Sequence, residues 1–248
     1  MFNLLKTILN KKKYGNTMAE TLIAMTIVGI VFTLTVGVMI ADYNRNQTVI
    51  RLEKMYSTLG QAFDKAMVQN GAPSNWDIPD GISEENSTNF FTTYLEPNLV
   101  LSKVCKGSTT GECNYDFKEL DGTPKELNHS WSRFFLNDGA FIALQTVGNN
   151  NYKVVYFYVD TNGKKRLNVV ARDIFLMEYW IQNDAHPEYV GKLRMFGEEY
   201  PRRELISENN NNNCNSSKNG NYCGALIKAD NWQIKQGYPW AQARYVVQ

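Results

Sequence analysis

Few residues in this sequence have the type and spacing to do chemistry. Glu20 is the only acid before Asp42, and it stands at the front of an apolar run. Five residues before it, Gly15 closes the basic stretch Lys11-Lys12-Lys13-Tyr14-Gly15. A carboxylate at the edge of an apolar helix costs roughly 2–3 kcal/mol at worst, less near the interface, and calls for a cationic partner. Four cysteines form two close pairs, Cys105/Cys113 and Cys214/Cys223. Their spacing is not a zinc signature, and the only histidines are His129 and His186. Asp160 and Asn162 lie in an Asp-Thr-Asn-Gly turn and carry hard oxygen donors. There is no nucleophile elbow, phosphate loop or His-Glu-x-x-His, so no enzyme is expected.

The elements that position these residues follow from composition. The chain has 248 residues, 43% of them hydrophobic. From Thr21 to Ala41 no residue is charged. At about 1.5 Å per residue, such a run spans a bilayer as a helix. No second run like it occurs, so at most one span is expected. Formal net charge is +1, from 26 basic and 25 acidic side chains. Lys6, Lys11, Lys12 and Lys13 precede Gly15 with no acid among them, and without them 22 basic groups face 25 acidic ones. That balance argues against general nucleic-acid binding. The early lysines place the N-terminus in the cytoplasm by the positive-inside rule, and everything after Ala41 outside. An oxidising exterior permits disulfides. Four cysteines allow three connectivities, of which the two local pairs, each closing a short polar loop, are favoured.

Beyond the apolar run, Val49, Leu52, Tyr56, Leu59, Phe63 and Ala66 recur at helical spacing between charged residues. Gly71 and Pro73 supply a stop. This predicts one helix from about Thr17 to Asn70, on the order of 80 Å long. A short helix is expected at Phe90–Leu95, and the Cys105–Cys113 segment reads as a loop. Ala140–Val147, Tyr152–Val159 and Asp173–Trp180 read as antiparallel strands, the second apolar on both faces and so covered on both. Asn209–Asn213 reads as a polar loop. The fold class is α+β, a long helix packed on an antiparallel sheet.

The junction Lys11-Lys12-Lys13-Tyr14-Gly15-Asn16-Thr17-Met18-Ala19-Glu20-Thr21-Leu22 resembles the leader and N-terminal helix of type IV prepilins and type II secretion pseudopilins, over about residues 11–45. The resemblance implies a leader over 1–15, a long helix over 16–70, membrane-spanning at about 21–41 and amphipathic at about 42–70, and an outward-facing pilin-like domain over 71–248. It implies cleavage after Gly15 by a prepilin peptidase and N-methylation of Asn16. It makes Glu20 the fifth mature residue, paired during assembly with the N-terminal ammonium of a neighbouring subunit. The implied partners are that peptidase, other pilin or pseudopilin subunits, an inner-membrane assembly platform and the lipid bilayer. Asn16 stands where the family usually has an apolar residue, and Gly37 where true pilins often have proline. The Asp160–Gly163 turn, with Leu167, Asn168 and Arg172–Phe175, resembles the turn-and-strand stretch of pseudopilin domains, and some relatives bind calcium there. Lys164 and Ala171 occupy positions where acids would help, so a plain turn is the favoured reading. Cys223–Ile227, Trp232 and Tyr238–Trp240 resemble prepilin-type tails, with core packing as their simplest role. The expected function is a minor or specialised filament subunit. The alternative is a single-span anchored extracytoplasmic binding protein that does not polymerise.

Overall fold

A computed structural model of the chain describes residues 17–163, 165, 168–235 and 237–240. The 1–15 segment with Gly15, and Asn16, Lys164 and Leu167, lie outside the described residues. The chain forms two compact units, one ending at Asn44 and one beginning at Arg45.

The first unit holds the start of helix α1 (Met18–Asn70). This helix is long and apolar enough to cross a membrane, and none of its most apolar window is buried. That separates it from the core helix of a soluble domain, whose apolar surface is covered. Its hydroxyls are satisfied locally. Thr21, Thr26 and Thr35 donate to the carbonyls of Thr17, Leu22 and Val31 at 3.0, 2.8 and 2.9 Å, and Thr33 to that of Ile30 at 2.9 Å. An apolar medium offers such groups no other acceptor, so back-bonding removes their cost.

In the second unit α1 becomes one-sided. Leu52, Met55, Leu59, Ala62, Phe63 and Ala66 are buried, while Arg51, Glu53, Asp64 and Lys65 between them are exposed. Tyr56, in the expected stripe, sits half-buried at its edge. The helix stops at Gly71, whose φ of +78° is a left-handed cap that a side chain would strain. The Gly71 N–H donates to Met67 O at 2.9 Å, and its carbonyl accepts from Trp76 Nε1 at 3.1 Å.

The buried stripe faces a six-stranded antiparallel sheet in the order β1-β4-β5-β6-β7-β8. The strands are β1 (Leu101–Lys106), β4 (Ser132–Leu136), β5 (Phe141–Gly148), β6 (Tyr152–Asp160), β7 (Ile174–Asn183) and β8 (Leu193–Met195). A separate ribbon, β2 (Asp116–Lys118) and β3 (Pro124–Glu126), lies between β1 and β4 in sequence. Alternation sorts the side chains into two layers. Ile142, Leu144, Val155, Phe157, Val159, Phe175, Met177 and Tyr179 join the helix core. Phe141, Ala143, Tyr158, Ile174 and Leu176 join a second cluster with Tyr115, Phe117 and Leu127 of the ribbon region. β6 is therefore covered on the helix side and, on the other, over Tyr158 but not over Tyr156, which stays half-buried, so the expected two-sided cover is only partial.

The architecture is thus α+β, with a long apolar N-terminal helix and a large antiparallel sheet. It differs from expectation in four places. The short helix begins earlier, at α2 (Glu84–Phe90), because Ser83 caps it by accepting from Asn86 N at 3.0 Å. Its continuation Phe91–Leu95 is a π turn. Residues up to Lys106 are strand, so the Cys105–Cys113 segment is only partly loop. β4, β8, α3 (Arg202–Leu205) and α4 (Cys223–Ala229) carry too few residues for periodicity to mark them. Disulfides join Cys105 to Cys113 and Cys214 to Cys223, with Cα–Cα distances of 5.7 and 4.7 Å.

Phe63 is the centre of the helix–sheet contact. It is 1% exposed and lies 3.7 Å from Tyr179, with the two rings parallel. Its edge meets Phe157 at 5.7 Å. Phe63→Ala is expected to lower unfolding free energy by about 3–5 kcal/mol in urea denaturation. Val68→Ala, on the exposed side of the helix one turn further on, is expected to stay within about 0.5 kcal/mol.

Candidate functional site

The N-terminal end of α1 carries the residues the sequence singles out. Thr17 precedes the first helical residue. Its Oγ1 accepts from Glu20 N at 3.3 Å, and Glu20 Oε2 accepts from Thr17 N at 2.8 Å and Thr17 Oγ1 at 3.1 Å. This is a reciprocal capping box, in which residue and carboxylate each satisfy an orphan amide at the helix start. The pattern Thr17-x-x-Glu20 is a capping signature that reading Glu20 as a lone acid awaiting a partner missed. The carboxylate also sits at the positive end of the helix dipole. Glu20 therefore has partners within its own chain.

The second candidate is the turn after β6. Asp160 is 1% exposed, and its Oδ1 accepts from the amides of Asn162 and Gly163 at 2.9 and 3.1 Å. Asn162 Nδ2 donates to Asp173 Oδ1 at 2.7 Å, and Thr161 N donates to Asp173 O at 2.9 Å. Gly163 has φ +69°, and a Cβ there would lie 2.1 Å from Gly139 O, so only glycine fits. Asp160 and Asn162 thus build the turn, and Asp173, expected as a strand residue and not as an oxygen donor, ties it to β7. Asp160 Oδ2, Asn162 Oδ1, Asn168 Oδ1 and Asp173 Oδ2 are buried without hydrogen-bond partners. These are the donor types calcium takes, but four side-chain oxygens fall short of its usual six to eight. Among the described residues no group of three or more His, Cys, Asp or Glu side chains is placed to hold a metal. Ala171, with φ +74°, contributes no side-chain donor. Its carbonyl is taken by Tyr238 Oη at 2.7 Å and Trp240 Nε1 at 2.8 Å, which anchors the C-terminal aromatic segment.

Burial pushes the Asp160 carboxyl up to about 8, reinforced by the neighbouring Asp173 charge and opposed by the two turn amides and Arg51. Burial likewise pushes Asp173 up to about 6, against the backbone amides of Val169 and Asn168 and the charges of Arg172 and Arg51.

The remaining organisers were not visible in the sequence. Arg133 is 1% exposed and donates through Nη1 to the carbonyls of Gly107, Ser108 and Trp131, and through Nη2 to those of Leu127 and Asn128. It holds the loop closed by Cys105–Cys113 against the turn before β4. Lys228 on α4 donates to Glu198 Oε1 at 2.8 Å and to Tyr56 Oη on α1 at 2.7 Å. Tyr56 Oη in turn donates to Leu193 O at 2.6 Å. Asn209–Asn213 is a loop of local amide bonds. Asn213, 2% exposed, donates to Ser207 O and Oγ at 2.9 and 2.7 Å, and Asn210 Oδ1 accepts from Asn212 N at 2.9 Å.

The class these features define is a protein with one membrane-competent N-terminal helix and a disulfide-linked α+β unit. Residues 38–241 match DUF6613, a family of unknown function, and the chain belongs to it. The match begins inside the apolar run, past Gly15 and Glu20, and takes in the whole described sheet. No curated protein and no solved structure matches the chain.

Stability should fall as pH rises from about 4 to about 8. Asp160 and Asp173 keep their protons in the folded chain at pH values where the unfolded chain has lost them. Glu178, pushed up to about 7 mainly by burial, acts in the same direction. The thermal midpoint in chelator-treated buffer should be higher at pH 5 than at pH 8. Asp160→Asn should shrink that difference, and an unchanged difference would count against Asp160 as its source.

Proposed function

We propose that this chain is a filament subunit of the type IV pilus or type II secretion pseudopilus kind, a minor or specialised one. In this reading a prepilin peptidase cuts after Gly15, and α1 carries the subunit first in the membrane and then among neighbouring helices. The observation that carries the proposal is the start of α1. Glu20 stands five residues after Gly15, at the head of a helix whose apolar window has no cover within the chain. Such a surface needs lipid or other apolar helices around it. The lysines before Gly15 orient the N-terminus to the cytoplasm and the α+β unit outward. Two disulfides suit that outward, oxidising side. The α+β unit takes the place of a pilin-like head, and the reading assigns it no catalytic step. Its partners are the peptidase, other pilin or pseudopilin subunits, an inner-membrane assembly platform and lipid.

One observation favours a second reading. Glu20 already receives hydrogen bonds from Thr17, so it does not require a neighbouring subunit's ammonium. A single-span anchored binding protein would keep the same helix start and never polymerise.

Mass spectrometry of the membrane-extracted protein should find a new N-terminus at Asn16, and Gly15→Val should leave the leader attached. The two roles of Glu20 separate by substitution. Glu20→Gln keeps a capping side chain and removes the charge, since Gln is accepted at this position of the box. Thr17→Ala removes the cap and keeps the charge. If a charge pair drives assembly, Glu20→Gln and Glu20→Val should both be inserted and cleaved yet be scarce in sheared filaments, while Thr17→Ala assembles. Wild-type recovery of Glu20→Gln in filaments would exclude the charge pair, and an uncleaved Met1 terminus beside an active peptidase would leave the anchored binding protein.

A further inference from the structure

We propose that the sheet face turned away from α1 carries a binding groove for a neutral saccharide. The ribbon β2–β3 covers that face only in part, over Phe141, Tyr158 and Ile174. Beyond it, the central strands β5 and β6 present Gln145 and Tyr156, which are cross-strand partners, in an open groove of about 490 Å³. The size lies within the roughly 300–1,000 Å³ of small-ligand sites.

The walls are aromatic. Trp131, just before β4, and Phe196, just after β8, are half-buried and keep part of their rings open, as does Tyr156. Each is braced from behind or beside. Trp131 packs on Tyr158 at 5.2 Å, and Phe196 meets Tyr156 edge-on at 5.8 Å. Braced rings make rigid platforms at little entropy cost.

The rim carries neutral amides whose orientation is already set, with Glu126 the one acid and Lys125 the one lysine among the lining residues. Gln145 Nε2 donates to Ser130 Oγ, which donates to Asn128 Oδ1. On the other side, Asn212 Oδ1 accepts from Asn221 Nδ2 at 3.1 Å and from Asn219 Nδ2 at 3.0 Å. The hydrogen bonds among the described residues use one end of each of Gln145 and Asn128, while Asn212 also bonds the Tyr222 phenol. The other ends of two of them, Gln145 Oε1 and Asn128 Nδ2, are left for a ligand. Tyr156 Oη also has no hydrogen-bond partner among the described residues. Burial and the nearby Glu178 hold that phenol protonated, so it stays a donor.

This combination selects among ligand classes. A pyranose offers a flat C–H face to an aromatic ring and a rim of hydroxyls that both donate and accept, which matches rings flanked by fixed amides. Nucleic acid requires cations, and the one lysine of the groove, Lys125, is paired with Glu119 at 3.0 Å. A peptide adding as a strand requires a free sheet edge, whereas β5 and β6 are central. A lipid chain requires a continuous apolar wall, which the amides interrupt.

The test is calorimetric titration of the full chain, in a detergent without a sugar headgroup, with trisaccharides of glucose, N-acetylglucosamine and mannose. At least one should saturate by about 10 mM, a range typical of weak single-site binding. Trp131→Ala and Gln145→Ala should each weaken it about tenfold, as loss of a central anchor does. Trp131→Phe should retain most of the affinity, and an unchanged thermal midpoint establishes that each variant is folded. The proposal is overturned if no trisaccharide saturates. It is equally overturned if folded Trp131→Ala binds as wild type, or if a hexaproline peptide binds in this groove and the sugars do not.

Discussion

One helix with two different surroundings is the constraint on which this protein is built. α1 runs unbroken from Met18 to Asn70, yet its apolar surface changes character on the way. Early on it is apolar on all sides and uncovered. Later it narrows to the stripe from Leu52 to Ala66, and that stripe is buried. A helix satisfies its own backbone, so the same backbone serves in both settings. Only the side chains change. The threonines of the early stretch turn their hydroxyls back onto the helix, and the charges of the later stretch keep to its exposed side.

The sheet is shaped by the second half of that demand. Its inner face supplies Val155, Phe157, Met177 and Tyr179 to the stripe, and Phe63 stacks among them. Once one face is committed, alternation commits the other, and the ribbon β2–β3 covers only part of it. What holds the irregular segments in place is polar rather than apolar. Arg133 gathers the carbonyls of two loops around one guanidinium, and Lys228 links α4 to Tyr56 of α1. The cost of burying such groups is offset only by the hydrogen bonds they make, here through all of their nitrogens but the Nε of Arg133, and those bonds tie the loops to one arrangement. The disulfides add roughly 2–3 kcal/mol each by the loop-entropy estimate, modest because both loops are short.

The functional evidence divides along the chain. The family match covers residues 38–241 and says nothing of the helix start, where Gly15 and Glu20 stand. The filament reading rests on that start, and the groove lies wholly within the matched region. The capping box alters the physical argument at the junction between them. A carboxylate bonded to its own helix start is not an unpaired charge, so the energetic case for a partner subunit rests on what its remaining oxygen, Oε1, meets.

Much of the fold was legible in the sequence because its signals are local. An uncharged run, a stripe at helical spacing and a glycine stop fix α1 from neighbouring residues alone. Alternating β-branched and aromatic residues mark β5, β6 and β7 in the same way. The Thr17–Glu20 box is equally local, four residues long, yet the reading of Glu20 as an unpaired acid passed over it. What tertiary structure alone decided depends on residues far apart in sequence. β4 and β8 are strands because β5 and β7 offer them edges, not because their few residues alternate. Arg133 reads as a surface residue until the carbonyls of Gly107 and Leu127 close around it. The groove needs Trp131, Gln145, Tyr156, Phe196 and Asn212 to meet, and no spacing rule connects them. Periodicity reports which side of its own element a residue occupies; which other element it then meets is set by the packing of the whole sheet.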